Sequence, residues 1–189
     1  MSEDIVKGYQ DRLVDCIQSF DWLPVRQLTE KILSVRKDGG RIFLCGNGGS
    51  AVNAMHIAND LLCLRSKTGK AGVNAAALSA NQAILTCLAN DIGYENIFSF
   101  QLMNSGKKGD ILIVLSGSGN SPNVLNALKA AKGIGISTCA ILGFDGGKCL
   151  KLADIVMHFP INDMQIAEDL QLIAGHMLMQ WLAKDMADD

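Results

Sequence analysis

The chain has 189 residues, 49% of them hydrophobic and 19% charged, with 19 glycines and 3 prolines. This composition excludes a disordered chain, and the length suffices for one α/β domain with a sizeable core. A formal net charge of −2 supplies no basic footprint for nucleic acid, and no stretch reaches the roughly 20 apolar residues that span a bilayer.

Residues 4–38 carry helical periodicity in Ile5, Leu13, Ile17, then Leu23, Val25, Leu28, Ile32, Leu33 and Val35. Two helices are predicted, broken near Asp21-Trp22-Leu23-Pro24 and stopped at Lys37-Asp38-Gly39-Gly40. Preceding the first strand, they are expected to pack outside the sheet core or against another subunit. Arg41 to Cys45 is the first strand, followed by Gly46-Asn47-Gly48-Gly49-Ser50 and a helix to about Leu64. Arg65 to Gly72 reads as loop, Val73 to Ser79 as a second strand, and Gln82 to Ala89 as helix. Asn90-Asp91-Ile92-Gly93 breaks that helix, and Tyr94 to Asn104 resumes it.

Ile111 to Leu115 is a fully apolar run, as in a strand buried on both faces of a parallel sheet. It feeds Ser116-Gly117-Ser118-Gly119-Asn120-Ser121, then Pro122 and a helix. Ser121 sits where an N-cap belongs, and Pro122 suits the first helical turn. Ser137 to Leu142 and Ile155 to Phe159 are further strands, separated by Gly143-Phe144-Asp145-Gly146-Gly147 and a short helix. The last helix runs from Asn162 or Asp163 to about Ala183. This alternation predicts an α/β fold: one doubly wound, parallel sheet of five strands with flanking helices. No linker divides residues 1–189; residues 1–38 are the N-terminal helical pair, and 39–189 are the sheet core and long C-terminal helix.

The segment Ser116–Ser121 offers three hydroxyls, glycines and backbone N–H groups at a helix N-terminus, which suits an anion such as a phosphate. The plainer reading is a capped helix after a tight turn. Neither a dinucleotide fingerprint nor a nucleotide P-loop fits, because the third glycine and a Gly-Lys-Ser/Thr are both missing. No nucleotide or organic cofactor is expected. The first loop, GNGGSAVNA, echoes GSGNSPNVLNA, so two helix N-termini are expected to face one crevice.

Three histidines are present. His158 lies in a strand and reads as structural. His56 and Asp60 are spaced i, i+4 and share a helix face. Glu168 and His176 lie two turns apart on the last helix, roughly 80° around it at about 100° per residue. All four residue types can ligate a zinc-like ion, although an i, i+4 His–Asp pair is commonly a surface hydrogen bond. His176, within IAGHMLMQWL, is expected to be a buried histidine with a partner. Six cysteines are scattered with no CxxC pair; Cys45, Cys87 and Cys139 are expected to be buried free thiols. The acidic, polar MSEDIVKGYQ lacks a signal peptide's apolar centre, so a cytoplasmic, non-membrane protein is expected.

The segments CGNGGSA…MHIANDL, LANDIGYENIFSFQL, GDILIVLSGSGNSPNVLNALKAA, LGFDGG and the histidine-bearing last helix resemble the phosphoheptose isomerases of the sugar isomerase (SIS) superfamily. The resemblance runs to about Leu182. It implies a five-stranded parallel SIS sheet, a homotetramer with interfacial active sites, and interconversion of sedoheptulose 7-phosphate and a heptose 7-phosphate. It implies that Ser116, Gly117, Ser118 and Ser121 hold the phosphate, and that Asn47, Gly48, Ser50, Asn90, Asp91 and Glu168 meet the substrate. It places the catalytic carboxylate on Asp60 and the catalytic histidine on His176. A zinc ion, where members carry one, would fall on His56, Asp60, Glu168 and His176.

Departures from the family pattern lie mostly where the sugar would be touched. Asp60 replaces Glu; Ser-Thr-Ser becomes Ser116-Gly117-Ser118; Thr-Thr-Asp becomes Ser79-Ala80-Asn81. An arginine falls on Leu64 with Arg65 adjacent, and Arg-Ile-Gln-Glu becomes Ile166-Ala167-Glu168-Asp169. Two functions are consistent with this pattern: an aldose–ketose isomerase working through an enediolate, or a non-catalytic SIS regulator that binds a phosphosugar or a replication initiator. Only the enzyme requires both the carboxylate and the histidine.

Overall fold

A computed structural model describes residues 2–188, and the side chains of residues 4–64 and 69–187. Two helices, α1 (Ser2–Ser19) and α2 (Leu23–Lys37), precede β1 (Ile42–Cys45) and α3 (Gly49–Thr68). Then come β2 (Ala75–Ala77), α4 (Gln82–Ile92), a single 3-10 turn, α5 (Ile97–Ser105) and β3 (Ile111–Ser116). The chain finishes with α6 (Pro122–Ile134), β4 (Ser137–Leu142), β5 (Ile155–His158) and α7 (Met164–Asp188). All five strands are parallel, in the order β2-β1-β3-β4-β5.

β3 is central and buried throughout. Its odd residues Ile111, Ile113 and Leu115 join a layer made with α2, α3 and α7. Its even residues Leu112 and Val114 face α4, α5 and α6. A period of two thus feeds two cores from one strand, each fully buried Leu or Ile contributing about 1.5–3 kcal/mol. The strand order reverses between β1 and β3, so the loops after these two strands diverge and leave a crevice between them.

Several local expectations are corrected. The helix α2 belongs to the core: Val25, Leu28, Ile32 and Val35 form a stripe no more than 3% exposed. Only α1 lies outside, packing Tyr9, Leu13 and Ile17 inward, followed by Phe20, while Ile5, Val6 and Val14 stay exposed. The helix α3 continues beyond Leu64 through the expected loop to Thr68, because buried Leu64 ties that turn to the core. Gly69 then ends it with φ +73°. The second strand shrinks to Ala75–Ala77, since the Val73 N–H is drawn to the Leu61 carbonyl of α3. Asn90 and Asp91 are helical; the break comes at Gly93, whose φ of +90° disfavours a side chain. Buried Met186 carries α7 past Ala183. Cys45 and Cys139 are buried and burial pushes both thiols up, that of Cys139 to about 12. Cys87 is exposed on the outer face of α4, against the expectation.

Candidate active site

The two glycine-serine loops meet at the β1–β3 crevice and enclose a cavity of about 280 Å³. Asn47, Gly48 and Ser50 line it from the first loop, and Ser116, Gly117, Ser118 and Ser121 from the second. Ser116 is buried, and its Oγ accepts the Gly119 N–H at 3.0 Å, folding the loop back on itself. Ser121 occupies the N-cap position of α6, yet its hydroxyl makes no capping bond and remains available to a ligand. Ser118 is exposed at the rim. The N-terminal ends of α3 and α6 both open on this cavity, and their partial positive charges favour an anion. No Lys or Arg lines it among the described residues, so hydroxyls and helix ends would have to hold a phosphate.

A polar network joins the two loops. Asn47 and Asn123 exchange side-chain amide hydrogen bonds at 2.8 and 2.9 Å, and the Tyr94 hydroxyl donates to Asn47 Oδ1 at 2.9 Å. Gln171 Nε2 donates to Ser50 Oγ at 3.0 Å, and Asn53 Nδ2 donates to both Gln171 Oε1 and the Glu168 carbonyl. Asn123, Gln171, Asn53 and Tyr94 were not picked out from the sequence. The available signal was a buried amide on an otherwise apolar helix face, as at Asn123 and Gln171.

The helices α3 and α7 pack tightly along one seam, permitted by Gly175, where a Cβ would lie 2.7 Å from Ile57. Farther along this seam His56 Nε2 lies 3.0 Å from His176 Nε2, and Asp60 Oδ2 lies 3.5 and 3.9 Å from those two nitrogens. His176 is half exposed, not buried as expected, because it stands on the outward side of α7 with His56 as its partner. A separate opening of about 390 Å³ is lined by Asp60, His176, Met179 and Gln180. His158 is structural: its Nε2 pairs with the Phe144 carbonyl oxygen at 3.0 Å.

The donors of His56, Asp60 and His176 all lie within 4.8 Å of one another. Two nitrogens bound to tetrahedral zinc at about 2.0–2.1 Å would sit roughly 3.3 Å apart, so the imidazole pair fits such an ion. Glu168, expected as a fourth ligand, is not in this cluster. It lines the loop cavity instead, eight residues before His176 and about 12 Å along the helix axis.

Asn90 and Asp91, expected at the sugar, are exposed at the end of α4 and do not line the cavity of their own protomer. Hydrogen bonds from Asn90 and then Cys87 hold the Asp91 carboxyl below the usual carboxylate range. Asn81 caps α4 by accepting the Ile84 N–H. The side chain of Arg65 lies outside the described residues.

Residues 8–143 match the SIS domain family. The phosphoheptose isomerase of Aliarcobacter butzleri is 35% identical over 190 residues, covering 99% of this chain and 100% of that relative. The solved phosphoheptose isomerase of Neisseria gonorrhoeae superposes with a TM-score of 0.88 at 29% identity, covering 97% of this chain and 100% of that one. That of Francisella tularensis gives 0.90 at 25% identity, covering 97% of this chain and 99% of that one. These full-length relatives are isomerases, which does not favour the regulatory alternative. Sequence likeness along the whole chain, joined to the same parallel sheet, shows that this chain belongs to the phosphoheptose isomerases of the SIS domain family.

Proposed function

We propose that this chain interconverts sedoheptulose 7-phosphate and D-glycero-D-manno-heptose 7-phosphate, or a closely related sugar phosphate, through an enediolate. The observation that carries the reading is the cavity between the two loops, lined by serine hydroxyls and fed by two helix N-termini. Ser116, Ser118, Ser121 and the Gly117 backbone hold the phosphate there, while Asn47, Gly48 and Ser50 meet the sugar. Asp60 and His176 carry proton transfers in opposite roles, as an acid–base pair must. Their mutual contact supports this pairing. His56, Asp60 and His176 would hold a zinc ion, which would supply Lewis-acid chemistry at a carbonyl oxygen.

Because the histidine cluster stands away from the cavity of its own protomer, the active unit is completed by a neighbour in a homotetramer. Exposed Val52, Met55 and Leu62 on α3 and Met177 and Trp181 on α7 flank the cluster and support this assembly. In such an assembly Asn90 and Asp91 serve the substrate from a facing subunit. Residues 1–189 act as one domain, supported by the continuous sheet and its two core layers. No helix among the described residues is long and apolar enough to cross a membrane. A cytoplasmic location is supported by Cys45, Cys139 and Cys149, buried as thiols. Incubation with sedoheptulose 7-phosphate followed by NMR of the sugar tests the activity; an unchanged spectrum rejects it. Sedimentation tests the assembly, with a stable monomer at micromolar concentration as the contrary result.

A further inference from the structure

We infer that Asn123, Tyr94 and Gln171 are positioning residues that turn Asn47 and Ser50 into hydrogen-bond donors for an acceptor oxygen of the phosphosugar, a role that rests on the substrate reading above. Two chains of hydrogen bonds do this, each starting from a main-chain group whose polarity is fixed. The Val124 N–H donates to Asn123 Oδ1 at 2.9 Å, so that atom of the amide must be the oxygen. The Asn123 amide nitrogen therefore faces Asn47 and donates to Asn47 Oδ1 at 2.9 Å, while Asn47 Nδ2 donates back to Asn123 Oδ1 at 2.8 Å. The Tyr94 hydroxyl donates to the same Asn47 Oδ1 at 2.9 Å. Both lone pairs of that oxygen are then taken, and one hydrogen of Nδ2 is engaged. What Asn47 still offers the cavity it lines is a single N–H.

The second chain starts from the Glu168 carbonyl, which can only accept. Asn53 Nδ2 directs one hydrogen to it and the other to Gln171 Oε1, both at 3.0 Å. The other end of the Gln171 amide is thereby its nitrogen, which donates to Ser50 Oγ at 3.0 Å. No described residue accepts the Ser50 hydroxyl proton, so this O–H is left for a ligand in the cavity that Ser50 lines. Asn123 and Gln171 are each 1% exposed, where a half-paired amide is costly, so both orientations are held. The rest of the lining makes donors valuable. No Lys or Arg is among the described lining residues, and the Glu168 carboxylate, packed over Gly49 in the space a Cβ would take, only accepts. An unheld amide presents its oxygen as readily as its N–H, and holding it removes that loss before the sugar binds.

The test is calorimetry and turnover with sedoheptulose 7-phosphate on Asn123→Leu, Gln171→Met and Tyr94→Phe, each of which removes hydrogen bonds at nearly constant shape. Tyr94→Phe should raise Kd by about 2–10-fold, the worth of one hydrogen bond, and the two buried variants by at least as much. KM should rise alongside, with kcat changed less. Asn123→Leu and Tyr94→Phe are then repeated on Asn47→Ala, and Gln171→Met on Ser50→Ala. There the further rise in Kd should vanish, because the group being held is gone. Tyr94 is exposed, so Tyr94→Phe decides the matter if the buried variants do not fold. An unchanged Kd in every variant that folds, or the same rise on the alanine backgrounds, overturns the inference. A wild-type protein that binds the sugar without converting it defeats the isomerase reading alone, and the alanine backgrounds still decide this one. A wild-type protein that neither binds nor converts it ends both.

Discussion

Gly175→Ala probes the seam on which the candidate site depends. The new Cβ would lie 2.7 Å from both Cγ1 and Cδ1 of Ile57, which is 1% exposed and has little room to retreat. Carbon atoms in contact prefer roughly 3.5–4.0 Å, so α3 and α7 must part by about 1 Å or Ile57 must leave its rotamer. Such overpacking costs about 1–3 kcal/mol, and the better helix propensity of alanine returns about 1 kcal/mol. The net loss is therefore about 0–2 kcal/mol, a fall in Tm of roughly 2–4 °C per kcal/mol in a chain of this size. Turnover should suffer more. His176 adjoins Gly175, and its 3.0 Å contact with His56 spans the same seam. A displacement of about 1 Å can cost on the order of 10² in rate. Urea unfolding and the NMR isomerisation assay would be run together on Gly175→Ala and on Gly175→Ala with Ile57→Val. The second change removes Cδ1 and should recover part of both losses. A Gly175→Ala protein that gains about 1 kcal/mol and turns over normally would refute the close-packed seam.

Asp60→Asn and His176→Gln should each lower turnover by about 10²–10⁴ with phosphosugar affinity nearly intact; wild-type turnover in both contradicts their role. Asp60→Glu, which restores the longer carboxylate, should retain or raise activity on the heptulose phosphate. Ser118→Ala should weaken phosphosugar binding, measured by calorimetry, more than it slows chemistry. Asp163→Ala should destabilise the protein by about 1 kcal/mol through loss of the α7 cap. The hydrogen bond from the Ile166 backbone, then Arg12, holds the Asp163 carboxyl below its ordinary value of 3.8. Its contribution is therefore present above about pH 4 and lost as pH falls through the lower folded value, so wild type and variant should converge in acid unfolding curves.

Short-range physics made much of this protein legible. Five apolar runs of strand length, three of them ended by a glycine-rich turn, can be buried only in a sheet with helices on both faces. β3 shows why the reading held: all six residues are buried, and the five from Ile111 to Leu115 are apolar. The loop Ser116–Ser121 was equally readable, because hydroxyls, glycines and a proline-started helix are local chemistry. Boundaries failed where a distant partner outweighed local preference. Buried Leu64 carried α3 through a stretch that reads as loop, and outward-facing Cys87 sat in a sequence apolar enough to suggest burial.

The sequence by itself determined which elements form, in what order, and which two glycine-serine loops lead into helices, since neighbouring residues fix those outcomes through periodicity and capping. Only the tertiary structure decided which carboxylate meets which histidine. Asp60 and His176 are more than a hundred positions apart, and Glu168 shares His176's own helix, yet Asp60 joins the histidines and Glu168 joins the serine loop. The packing of α3 on α7 at Gly175 and the vacancy above Gly49 make that division, through contacts between segments that chain spacing leaves unspecified.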